Sequence, residues 1–181
     1  EMCIRDRNNT LIGNNAGNDI TSGDYNTCVG SLAGDQITVN GYHTYIGYAA
    51  GGNDQGSGFG RNTAIGANAG ANIRSSYGAE VNVAIGAACY NANSGKRNTY
   101  VGSYAGGAMS GPESGNVAIG YYALANNTTG HSNTVIGYQA GTAGSSEVMV
   151  DKPRITAIGY QAGKNNKGGN NTFIGHTAQK Q

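Results

Sequence analysis

The sequence predicts an all-β fold, a parallel β-solenoid of about ten coils, each of roughly 16–22 residues. Three observations predict it. A nine-residue motif, Asn-Thr-x-Ile-Gly-x-x-Ala-Gly, recurs along nearly the whole chain. Differences in repeat length fall only in the polar stretch after Ala-Gly. The composition, with 32 Gly, no Trp, 2 Pro and 12% charged residues in 181, is that of a chain rich in turns and poor in side-chain volume.

The aliphatic motif position is filled by Ile12, Val29, Ile46, Ile65, Ile85, Val101, Ile119, Ile136, Ile158 and Ile174, each followed by Gly. Successive glycines lie 17, 17, 19, 20, 16, 18, 17, 22 and 16 residues apart. A constant core with elastic loops is the signature of a solenoid. Asn-Thr-x-Ile is a β-branched run ended by a helix breaker, and no room remains in the repeat for a helix, so each motif reads as a short strand and turn. Ten strands stacked in parallel give a rod about 48 Å long.

Alternation places Thr and Ile on one face of each strand and Asn and x on the other. With Ile expected inside, the Thr hydroxyls are expected inside too, bonded along the ladder. The x residues are Leu11, Cys28, Tyr45, Ala64, Ala84, Tyr100, Ala118, Val135, Ala157 and Phe173, none of them charged, so both strand faces are partly apolar. One chain offers each coil a few kcal/mol of burial at most, against the ordering of about 18 residues. Three chains about a common axis would cover the second face, and a homotrimer is therefore expected. A monomeric solenoid with tyrosines completing its core is the alternative.

Residues 1–7, Glu-Met-Cys-Ile-Arg-Asp-Arg, fit no later repeat and read as the translation of a sequencing adapter. They are set aside, which leaves residues 8–181 as a single repeat domain, expected to be a fragment of a longer fibrous protein. The net charge of +1 and scattered Lys and Arg point away from nucleic acid and anionic membranes. No apolar run approaches the length of a spanning helix. Cys28 and Cys89 lack metal or disulfide-framework spacing and read as small core fillers.

The strings Asn-Val-Ala-Ile-Gly (82–86 and 116–120) and Asn-Thr-Ala-Ile-Gly (62–66) resemble the head repeats of trimeric autotransporter adhesins. Asn-Thr-Val-Ile-Gly-Tyr-Gln-Ala-Gly (133–141) and Ile-Gly-Tyr-Tyr-Ala-Leu-Ala-Asn-Asn-Thr-Thr-Gly (119–130) look more like repeats of phage-type tail-fibre proteins. Either resemblance implies a trimeric left-handed β-roll, outside the cell or on a virion tail, that displays a binding surface and performs no catalysis. The period here is longer and less uniform than in adhesin heads, so an adhesin ligand does not carry over.

Thr10, Thr27, Thr44, Thr63, Thr99, Thr134, Thr156 and Thr172 form a ladder of the kind ice-binding solenoids use. Asn9, Asn26, Asn62, Asn82, Asn98, Asn116, Asn133 and Asn171 form a second ladder, with His43 and Ile155 in the remaining places. Its expected role is structural, stacked amides bonding to one another and to turns. The Asn-x-Thr triplets at Asn126 and Asn127 are expected by chance in such a chain. His43, His131 and His176 are far apart, with no Cys or carboxylate at ligand spacing. The Gly/Asp-rich stretch 51–58 reads as a loop, so no metal, cofactor or catalytic residue is expected.

Tyr48, Tyr121, Tyr138 and Tyr160 follow the motif glycine, with Tyr104 and Tyr122 one place further. They read as wedges between coils or chains, or as a stacking surface for sugars. The longest interval holds residues 145–154, whose Glu147, Met149, Asp151, Lys152 and Arg154 are the candidate ligand-binding residues for a host surface or glycan. The sequence-level reading is a structural and adhesive fibre segment, not an enzyme. A monomeric ice- or glycan-binding solenoid and a fibre-associated polysaccharide depolymerase are the alternatives.

Overall fold

The computed structural model describes residues 8–55, 60–73, 81–90, 95–107, 114–126, 130–142 and 153–179. Ten strands of three residues each form one sheet: β1 (Thr10–Ile12), β2 (Thr27–Val29), β3 (Thr44–Ile46), β4 (Thr63–Ile65), β5 (Val83–Ile85), β6 (Thr99–Val101), β7 (Val117–Ile119), β8 (Thr134–Ile136), β9 (Thr156–Ile158) and β10 (Thr172–Ile174). They stack in chain order, every pair is parallel, and motif meets motif without slip, as in Thr10↔Thr27 and Ile119↔Ile136. Chain order, parallel pairing and constant register together make the chain a parallel β-solenoid. Among the described residues no helix is long and apolar enough to cross a membrane.

The turns stack as well as the strands. The amides of Gly17, Gly34 and Gly51 donate to the carbonyls of Ala33, Ala50 and Ala69 in the following coil, each at 2.9 Å. The glycine that follows Ile or Val is packed as closely against its equivalent in the next coil. At Gly120 φ is +131°, and an added Cβ would fall 2.5 Å from the carbonyl oxygen of Gly137. Neither the dihedral nor the space admits a side chain.

The expected facing of the strands is corrected. The middle residue, x, points inward: Cys28, Tyr45, Ala64, Ala84, Tyr100, Ala118, Val135 and Ala157 are all fully buried. Ile46, Ile85, Ile119, Ile136 and Ile158 face outward at 37–39% exposure, and the threonines share that outward face, half-buried or exposed. The reason is geometric. A strand of three residues between two corners has only its central side chain over the coil's interior, and the flanking two must point away.

The core is correspondingly thin: x, the Ala of Ala-Gly, and a turn residue such as Ile20, Ile37 or Ile73. Volume is traded within a coil. Tyr90 and Leu124 stand where other repeats have the glycine of Ala-Gly, and both keep its left-handed backbone, with φ of 50° and 53°. In those coils x is the small Ala84 or Ala118, and Tyr90 stacks on Tyr100 of the next coil, ring centroids 4.9 Å apart.

Candidate functional site on the outward face

Three rows of side chains run along the outside of the sheet. The first is the Thr row and the second the Ile/Val row, in which Ile12 and Ile174 at the two ends are 58% and 69% exposed. No charged residue occurs in either row. The third row follows the motif glycine. There Tyr121 and Tyr138 stack at 5.4 Å and 16°, Tyr138 and Tyr160 at 5.2 Å and 4°, and Tyr160 and His176 at 4.9 Å and 11°. Tyr104 stacks on Tyr122 beside it, at 4.8 Å.

That stacking decides how the tyrosines can act. Ring faces inside the column are covered by one another, so the column presents edges and hydroxyls outward, while a sugar ring packs on an open face. Tyr121, Tyr138 and Tyr160 thus pack coil on coil, whereas Tyr48 stands apart from the column at 55% exposure. The Tyr121 phenol is pushed up from its ordinary value by desolvation and by neighbouring Tyr122, Tyr138 and Tyr104.

Of the candidate ligand residues, Arg154 is exposed, with Nη1 3.5 Å from Asn170 Oδ1. Glu147, Met149, Asp151 and Lys152 lie outside the described residues, as do Asn127 and Gly56 to Gly58. A separate outward row precedes the ladder Asn. In it Tyr25 and Tyr42 stack at 5.0 Å, and the Arg61 guanidinium lies 5.9 Å over the Tyr42 ring.

Inside, the ladder of side chains accepting the next coil's amide is continuous over β1 to β8, with His43 in place of Asn at β3. The Asn26 amide donates to Asn9 Oδ1, that of Asn82 to Asn62 Oδ1, and that of Asn116 to Asn98 Oδ1, at 2.8–2.9 Å. The Nδ2 groups turn to loop carbonyls, Asn26 to Asn40, Asn82 to Gly95 and Asn116 to Gly130.

The expectation that no carboxylate accompanies the histidines is also corrected. His43 and Asp54 are buried together, Nε2 lying 3.2 Å from Oδ2. The Tyr45 hydroxyl donates to Asp54 Oδ2 at 2.8 Å and lies 2.9 Å from His43 Nδ1. Asn40 Nδ2 donates to Asp54 Oδ1 at 3.1 Å. Asp54 thus points into the core and not into a surface loop site. Its position, three residues after Gly51, is that of Ile37 after Gly34 and Ile73 after Gly70, and aligning the turns as well as the motif would have revealed it. Among the described residues no group of three or more His, Cys, Asp or Glu gathers as metal ligands would.

Comparison with protein-family models, with curated proteins and with solved structures finds no match to this chain.

Proposed function

We propose that this chain is a structural and adhesive segment of a trimeric fibre, a left-handed β-roll of the adhesin-head or tail-fibre-shaft kind working outside the cell or on a virion. The observation that carries the reading is the Ile/Val row, partly exposed along the whole sheet and free of charge. A contiguous apolar stripe of that length on a single chain is a surface that needs a cover. Covering each aliphatic residue contributes on the order of 1 kcal/mol, summed over every coil. Inward residues vary from Ala to Tyr with local compensation, whereas the outward row varies only between Ile and Val. That uniformity suits packing against copies of itself.

The test is sedimentation of the segment after release from a trimerising fusion partner. Three chains should stay together, and Ile119→Lys with Ile136→Lys should separate them while the far-ultraviolet β signature is kept. A stable monomer with cooperative unfolding would refute the trimer. Display by the long loop is tested by replacing residues 145–154 with a Gly-Asn turn in the intact fibre. Attachment to the host cell should fall, and undiminished attachment would remove that loop from the contact surface.

One observation favours a second reading. The Thr row faces outward, which suits a monomeric ice- or glycan-binding solenoid better than an inward ladder does. Thermal hysteresis or glycan retention by the monomer would favour it. The depolymerase reading has no residue constellation behind it among the described residues, and release of saccharide from host polysaccharide is the result that would support it.

A further inference from the structure

The coil of β3 departs from the repeat at two places, and the departures meet. His43 stands where other coils have the ladder Asn, and Asp54 where neighbouring coils have Ile37 and Ile73. Room for the imidazole comes from the next coil, where a Cβ at Gly60 would fall 1.8 Å from His43 Cε1.

The ladder fixes the tautomer. The His43 amide donates to Asn26 Oδ1 at 3.0 Å, and the Asn62 amide in turn points at His43 Nδ1 at 3.3 Å, the longest step of the series. A backbone N–H only donates, so we read Nδ1 as an acceptor, with the ring proton on Nε2 facing Asp54 and the Tyr45 hydroxyl also 2.9 Å from Nδ1. The Nε2 to Oδ2 separation is in ion-pair range without the alignment of a hydrogen bond. Protonation of the ring can only add a hydrogen at Nδ1. That hydrogen is taken by the Tyr45 hydroxyl oxygen, 2.9 Å from Nδ1, whose own hydrogen goes to Asp54, and the Asn62 N–H is left facing a donor, so the ladder step is lost.

We propose that this substitution makes the junction between the coils of β3 and β4 an acid-sensitive seam, the one step of the Asn ladder that opens when a single buried imidazole takes up a proton. The surrounding groups support it. The β3 coil supplies Tyr45 and Asp54, and the β2 coil supplies Asn26, with Cys28 beside Tyr45 and Asp24, whose carbonyl accepts the Tyr42 amide. The β4 coil supplies the Asn62 amide, while its Arg61 lies outside over Tyr42. Burial holds the His43 ring below its ordinary value, with Asp54 pulling the other way. The unfolded chain therefore takes up the proton first. Stability is full above about pH 6.5 and falls as pH drops below it.

The test compares amide exchange at homologous ladder positions in one molecule. After correction for intrinsic rates, Asn62 should lose about tenfold or more of its protection between about pH 7.5 and pH 5.5, while Asn82, Asn98 and Asn116 change less than about twofold. A parallel fall at all four would overturn the proposal. The triple variant His43→Asn, Tyr45→Phe, Asp54→Ile uses residues the solenoid places at these positions in other coils, and it should abolish the selective loss at Asn62. Persistence of that loss in the variant would overturn the proposal too. Should the variant not fold, the wild-type exchange and the ring nitrogen shifts decide: Nε2-protonated at neutral pH supports the seam, and Nδ1-protonated refutes it.

Discussion

The backbone amide of Asn116 donates to Oδ1 of Asn98 at 2.9 Å, and Oδ1 of Asn116 accepts the amide of Asn133 at 3.0 Å. Each ladder Asn thus bonds the coil below through its backbone and the coil above through its side chain. Asn116→Ala should cost about 1–3 kcal/mol, because the buried Asn133 N–H and Gly130 carbonyl both lose a partner. Asn9→Ala, at a half-buried position in the coil of β1, should cost less. Urea midpoints of the two variants and the wild type check the order, and an Asn116→Ala midpoint equal to that of the wild type would remove the ladder's stabilising role.

The buried thiols make a second prediction. Burial pushes Cys28 and Cys89 up to about 12. In a Cys3→Ser background neither should react with a thiol-alkylating reagent near pH 8 until the chain unfolds. The unfolded thiols ionise first, so stability should decline as pH rises above about 8.5 toward the folded value. Rapid modification of the folded chain would mean that the β2 and β5 coils open.

The strands, their number and their register were legible in the motif because most of its Gly and Asn positions meet the equivalent position of the next coil. The facing was not. Alternation states that Thr63 and Ile65 share a face opposite Ala64, but it does not say which face is inside. Chemical type misleads here, since the larger Ile lies outside and Ala inside. The usable signal was the volume exchange of Ala84 with Tyr90 and of Ala118 with Leu124, which only an inward position shows. The His43–Asp54 pair was hidden because its members are 11 residues apart in a turn of variable length.

Backbone conformation and neighbour contact can be separated at the motif glycine. Gly175 keeps φ of +129° with nothing within 4 Å of an added Cβ, whereas at Gly120 the Gly137 carbonyl blocks the site. Gly175→Ala should therefore cost about 1–3 kcal/mol from backbone strain alone. Gly120→Ala carries that strain plus the displacement of a stacked turn, and it should be clearly worse. Denaturant midpoints that fall together would show that the dihedral, not the stacking, selects glycine.

Val81 is the residue most at odds with its place. It sits in the row before the ladder Asn, where every described coil takes a left-handed backbone, and its φ is +57°. A β-branched side chain is strained there, by about 1–2 kcal/mol, while Asn tolerates the conformation through its short polar side chain. Asn8 and Asn170 fill the same row, with φ of 57° and 59°. Val81 is 46% exposed, so little burial is lost on replacement, and its amide bond to the Gly60 carbonyl at 2.9 Å is backbone alone and survives. Val81→Asn should therefore stabilise the chain by about 1 kcal/mol, a rise in Tm of roughly 2–4 °C at fixed protein concentration. The reciprocal Asn170→Val should lower it by a similar amount. If Val81→Asn lowers Tm instead, the valine side chain contributes more through contact than the left-handed backbone costs it, and relief of strain does not govern this row.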